Sequence, residues 1–137
     1  MGILLMVHSI LRWIIVLVAA VAVVKFALGL AQRRAFDGLS QGLMTGISGL
    51  MDLQAALGLV YLIGAGLAGA GFPAYRIIHG AVMLVAAALV HLNVRWKNAA
   101  AAARYRACLL LILGAGVLVF AGVYLLPGGL ARWSLAR

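Results

Sequence analysis

Apolar and polar positions along the chain fall into four long hydrophobic runs divided by short polar or glycine-rich breaks. The third run is the cleanest. Between Ile77 and Val94 eighteen residues pass without Asp, Glu, Lys or Arg, which is long enough for a helix to cross a bilayer. The first run, Ile3 to Ala31, is longer than one crossing needs. Trp13, read as a headgroup-level anchor, places its span at about 10–31. The other frame, 3–24, puts Lys25 at the edge and encloses His8 and Arg12. The second span is predicted at about 43–67 and the fourth at about 108–126.

The breaks fit this division. Arg33, Arg34 and Asp37 lead into Gly38-Leu39-Ser40-Gln41-Gly42, read as a polar turn. GAGLAGAGF (64–72) reads as a flexible exit, with Pro73 suited to the first turn of the next helix. NAAAAARYR (98–106) is a helix-forming stretch that prolongs the third or fourth span, and Pro127-Gly128-Gly129 stops the fourth. The pattern predicts one integral membrane domain over 1–137, an all-α, antiparallel, up-down-up-down four-helix transmembrane bundle.

Composition agrees and removes several classes. The 137 residues are 67% hydrophobic and 9% charged, with mean hydropathy +1.20. Four spans use up the chain, so no soluble catalytic module is expected. The net charge of +9 would suggest nucleic acid in a soluble protein. Here the basic residues sit at the ends of apolar runs, where they meet headgroups, so no nucleic-acid partner is expected.

The linkers after spans one and three carry Arg33, Arg34, Arg95, Lys97, Arg104 and Arg106; the other side carries Arg12, Arg76, Arg132 and Arg137. This bias predicts both termini outside, in an inner (cytoplasmic) membrane whose cytoplasmic side meets the two charged linkers. Cys108, the single cysteine, reads as a small core residue. Ala20-Val21-Ala22 imitates a cleavage site, but no cation precedes the run and it continues to Leu30, so a retained span is expected.

Polar residues at membrane depth then become candidates for chemistry, because an ionisable side chain there is costly. His79 and His91 are twelve residues apart, about 18 Å along a helix axis, and cannot share one metal. His8 and His79 open spans one and three on the outer side, with Arg12 one turn after His8 and Arg76 at the mouth of span three. Two imidazoles at one depth suit the axial positions of a b-type haem, with Arg12 and Arg76 for its propionates. Interfacial histidines touching headgroups are the plainer alternative. Met6 and Met83 beside these histidines also allow a copper(I) site.

Asp52, near the middle of span two, should find a cation or a proton. An inner polar cluster of Asp52, His91, Lys25 and Gln54 is therefore expected, either a relay or quinone headgroup site or a set of bonds fixing helix register. Gln54 and Tyr61, seven apart, share one face of their helix. No nucleophile–His–Asp arrangement, phosphate loop or carboxylate pair is present, so no catalytic residue is assigned.

His8-Ser9-Ile10-Leu11-Arg12-Trp13, the stretch Asp52-Leu53-Gln54 with Leu57-Gly58-Leu59 and Tyr61, and His79, Met83 and His91 resemble the small four-helix bacterial membrane proteins described as cytochrome-b-like. The resemblance runs the length of the chain. It implies a haem role, with His8 and His79 as axial ligands, His91 at a second level, and electron exchange with quinone or a redox partner subunit. Two other readings remain open. One is a non-catalytic subunit whose polar residues fix packing and whose glycine-lined faces bind partner helices or make oligomers. The other is a proton-linked carrier using Asp52 and His91.

Overall fold

The computed structural model describes residues 2–133 and is an all-α four-helix bundle. Its helices are α1 (Gly2–Ala31), α2 (Gly38–Ala65), α3 (Ala74–His91) and α4 (Ala101–Tyr124). A five-residue wide turn, Gly66–Ala70, ends α2, and 3-10 turns follow α3 (Leu92–Trp96) and α4 (Gly129–Trp133). Four helices are long and apolar enough to cross a membrane, and we read the chain as a multi-pass membrane protein. Large apolar residues on the outside fit that environment: Leu17, Leu110 and Val117 are each more than 60% exposed. In water such a surface would be a liability, whereas against acyl chains it costs nothing.

Helix ends differ from the expected spans in ways the local chemistry explains. α1 starts at Gly2 rather than near residue 10, because nothing before Trp13 breaks a helix. Asp37 to Gly42, expected as a turn, is a cap and first turn. The Asp37 carboxylate accepts from Ser40 N at 2.8 Å and from Ser40 Oγ at 2.7 Å, satisfying amides that a helix start leaves free. Ala101–Arg106 opens α4. Arg137, counted above on the outer side, lies outside the described residues.

α1–α2, α2–α3, α3–α4 and α1–α4 make the extensive packing contacts. The bundle is therefore a ring in which α1 and α3 stand across a diagonal. Ala22, Phe26 and Ala86 have no exposed surface and Met44 and Val90 about 1%. At the end of the bundle that carries the α1–α2 and α3–α4 links, Tyr105 is fully buried, with Phe36 at 4.9 Å and Phe26 at 5.9 Å between ring centroids. Its hydroxyl donates to Ala35 O at 2.9 Å. Gly29 makes room for that ring, since a Cβ there would lie 2.5 Å from Tyr105 Cζ. Lys25 reaches Asp37 at 2.6 Å. The Lys25 ammonium, then the Ser40 hydroxyl and amide, hold the Asp37 carboxyl well below the usual carboxylate range.

Candidate functional site: a cavity at one end of the bundle

A cavity of about 410 Å³ opens between the helices at the end where α1 begins and α4 finishes. Its walls are mostly apolar, and a few polar side chains converge on it. α1 supplies His8 and Arg12, α2 supplies Gln54 and Tyr61, and α3 supplies Arg76 and His79. The two histidines come from the diagonal pair of helices and line one space. Mostly apolar walls with a few convergent polar groups are the ordinary form of a ligand site.

Each histidine is fixed by one bond to a neighbouring helix. His79 Nδ1 lies 2.8 Å from Gly122 O. A carbonyl can only accept, so Nδ1 carries the proton and Nε2 keeps its lone pair. The Gly122 carbonyl is free for this because α4 is ending. Leu126 N, which would bond Gly122 O in a continuing α-helix, bonds Val123 O at 3.1 Å instead. A Cβ at Gly122 would run into Met83 Cε, so the Met83 side chain would have to shift to admit one. His8 is held by Gln54, whose amide nitrogen lies 3.0 Å from His8 Nε2 and 3.0 Å from His8 O. Its ring sits on Gly58, where a Cβ would come within 3.2 Å of His8 Cε1.

The mouth is rich in guanidinium groups and poor in carboxylates. Arg12 Nη2 donates to Arg132 O at 2.7 Å and Arg132 Nε to Pro127 O at 2.8 Å. The turn carrying Arg132 folds back over α1, where Trp133 meets Trp13 edge-on at 5.9 Å and the Arg12 guanidinium at 5.0 Å. Gly128, at φ +100°, permits that reversal. The chain's two acidic residues, Asp37 and Asp52, are engaged elsewhere, so Arg12, Arg76 and Arg132 face the cavity without a side-chain carboxylate. Four buried polar atoms on cavity-lining residues make no hydrogen bond: His8 Nδ1, Arg12 Nε, Gln54 Oε1 and Arg76 Nη1. Unpaired buried polar groups are expensive in an apolar surrounding and ask for partners.

The inner cluster expected from the sequence is divided. Asp52 Oδ1 meets His91 Nε2 at 2.8 Å. Lys25 is not with them; α1 carries it to the end with the α1–α2 link, where it pairs with Asp37. Gln54 is not with them either, because it is two residues from Asp52 and so about 200° around the helix. It turns inward with 9% exposure, while the Asp52 and His91 side chains are 56% and 48% exposed on the outside of the α2–α3 pair. Neither lines the cavity. Met6 and Met83 do line it, yet among the described residues no three His, Cys, Asp or Glu side chains gather into a metal cage. Tyr105 and Phe36, which pack together at the end with the α1–α2 link, had no part in the sequence reading.

A b-type haem can be weighed against these donors. His79 fits an axial role, with Nδ1 tied to a backbone carbonyl and Nε2 free, as ligating histidines usually are. Arg12 and Arg76 fit anionic propionates. His8 fits only when Gln54 releases its Nε2. No family model, curated protein or solved structure matches the chain, so the likeness to cytochrome-b-like proteins stands on the residues quoted for it.

Proposed function

We propose that this chain is a membrane haem protein whose outer-half cavity receives b-type haem and which exchanges electrons with quinone or a redox partner at the outer face. Both termini face outward in this reading, as the Lys and Arg distribution predicts. The observation that carries it is the convergence, in one mostly apolar cavity, of two imidazoles from diagonal helices and of guanidinium groups that, among the described residues, have no side-chain carboxylate to pair with.

When bound, haem supplies a one-electron couple that the side chains of this protein lack. His79 would ligate the iron through Nε2, oriented by its bond to the Gly122 carbonyl. Arg12 and Arg76 would hold the propionates and give their orphaned nitrogens anionic partners. The apolar walls would keep water from the site, and Trp13 and Trp133 would hold the mouth at headgroup level.

The test is the colour of the protein made in haem-sufficient cells and purified in detergent. A reduced-minus-oxidised spectrum should show a Soret shift and an α band, and His79→Ala should abolish both. A colourless wild type from those cells overturns the proposal.

A second reading is favoured by the outer face of α2. Gly42, Gly46 and Gly49 have open space above them, and the Asp52–His91 pair lies half exposed beside this face. A non-catalytic subunit would dock a partner helix there. It predicts stable co-purification with a partner and loss of the chain when the partner is absent.

A further inference from the structure

We infer that the two cavity histidines are unequal: His79 is prepared to bind a metal centre, Gln54 withholds His8 from it, and the position opposite His79 is left to a small exogenous ligand. This rests on the haem reading for the identity of the centre. The inequality itself rests on hydrogen bonds within the protein.

The argument turns on which way the Gln54 amide faces. One terminal atom of that amide lies 3.0 Å from both His8 O and His8 Nε2. A backbone carbonyl only accepts, so the atom beside it must be the NH2 group, and an oxygen there would repel the carbonyl. The amide has two protons, one for His8 O and one for His8 Nε2. His8 Nε2 is therefore an acceptor whose lone pair is already used. The ring proton is on Nδ1, which is buried and without a partner. Neither nitrogen of His8 is available as a ligand in this arrangement, because one lone pair is committed and the other nitrogen is protonated.

His79 is the opposite case. Its proton is on Nδ1 and spent on the Gly122 carbonyl, so the Nε2 lone pair is the available one. The two rings share a tautomer but differ in what that tautomer leaves free. His8 Nδ1–H is a buried donor beside the ligand space, and Gln54 Oε1 is a buried acceptor. Such groups suit a small polar ligand on the metal better than a second protein ligand. Water or cyanide belongs to this class.

Gln54 is thus a positioning residue that decides coordination number. The experiment compares wild type, Gln54→Leu and His8→Ala, each purified with haem, by absorption and electron paramagnetic resonance. Wild type should be high-spin, and its reduced form should bind carbon monoxide. His8→Ala should keep its haem and remain high-spin. Gln54→Leu should release His8 Nε2 and move the spectrum toward low-spin, with weaker carbon monoxide binding. A low-spin wild type that His8→Ala converts to high-spin overturns the inference, even where Gln54→Leu does not fold.

A second measurement needs no haem. Nitrogen-15 NMR of histidine-labelled apoprotein should show the Nδ1–H tautomer for both His8 and His79, and Gln54→Leu should disturb His8 alone. The Nε2–H tautomer at His8 overturns the inference. A colourless wild type removes the haem reading, and the tautomer then decides the inequality by itself.

Discussion

Tyr105→Phe offers a quantitative check on the end of the bundle opposite the cavity. The tyrosine is fully buried, and phenylalanine keeps its ring against Phe26 and Phe36. What changes is the hydroxyl. It contacts two oxygens, Ala35 O at 2.9 Å and Ser40 Oγ at 3.2 Å, but has one proton. The Ser40 hydroxyl proton is committed to Asp37 Oδ1 at 2.7 Å, so the tyrosine donates to Ala35 and its contact with Ser40 carries little. Losing one net hydrogen bond and leaving the Ala35 carbonyl unpaired should cost about 1–2 kcal/mol. Equilibrium unfolding in detergent micelles, followed by circular dichroism, measures this. Combined with Ser40→Ala in a double-mutant cycle, the coupling should stay below about 0.5 kcal/mol. A coupling of about 1.5 kcal/mol or more would refute the proton assignment, and no loss on Tyr105→Phe would refute the bond to Ala35.

Three other expectations follow. Gly29→Ala should destabilise the bundle by about 1–3 kcal/mol, because the new methyl meets a ring that Phe26 and Phe36 prevent from moving; an unchanged melting temperature in detergent would contradict this packing. The Asp37 carboxyl is held below its ordinary range when folded, so it contributes stability at neutral pH that begins to fade as pH falls below about 4, where the unfolded carboxyl protonates. The loss continues as pH falls through the lower folded value, and melting curves of Asp37→Asn should lack that acid-dependent part. His91→Ala should leave the spectrum of the haem-loaded protein unchanged, since His91 lies outside the cavity; loss of pigment would place the site elsewhere.

Much of the architecture was legible because it depends on long uncharged runs. Eighteen such residues between Ile77 and Val94 leave little choice but a helix, and short links leave little choice but a bundle. His8 and His79 could be placed on one side by counting along two helices. Their partners could not be read this way. Gln54 is 46 residues from His8 in sequence, and only the rotation of α2 brings the two together. The signal that separates Gln54 from Asp52 was available, since residues two apart on a helix point to nearly opposite sides. Asp37 and Ser40, read as a turn, form a cap whose spacing is a known helix-start pattern. Lys25 could be assigned to Asp37 rather than Asp52 only once α1 was seen to start at Gly2, which sets Lys25 near the far end of that helix. The role of Tyr105 had no sequence signal, because a tyrosine near an arginine-rich linker reads equally well as an interface anchor.

The most direct test of the cavity as a cofactor site is a titration of haem into the purified, haem-free protein in detergent, followed by the Soret band. Wild type should saturate at one haem per chain, and His79→Ala should give only the spectrum of haem dissolved in detergent. Identical titrations for the two proteins, or no saturable binding by wild type, would contradict the account.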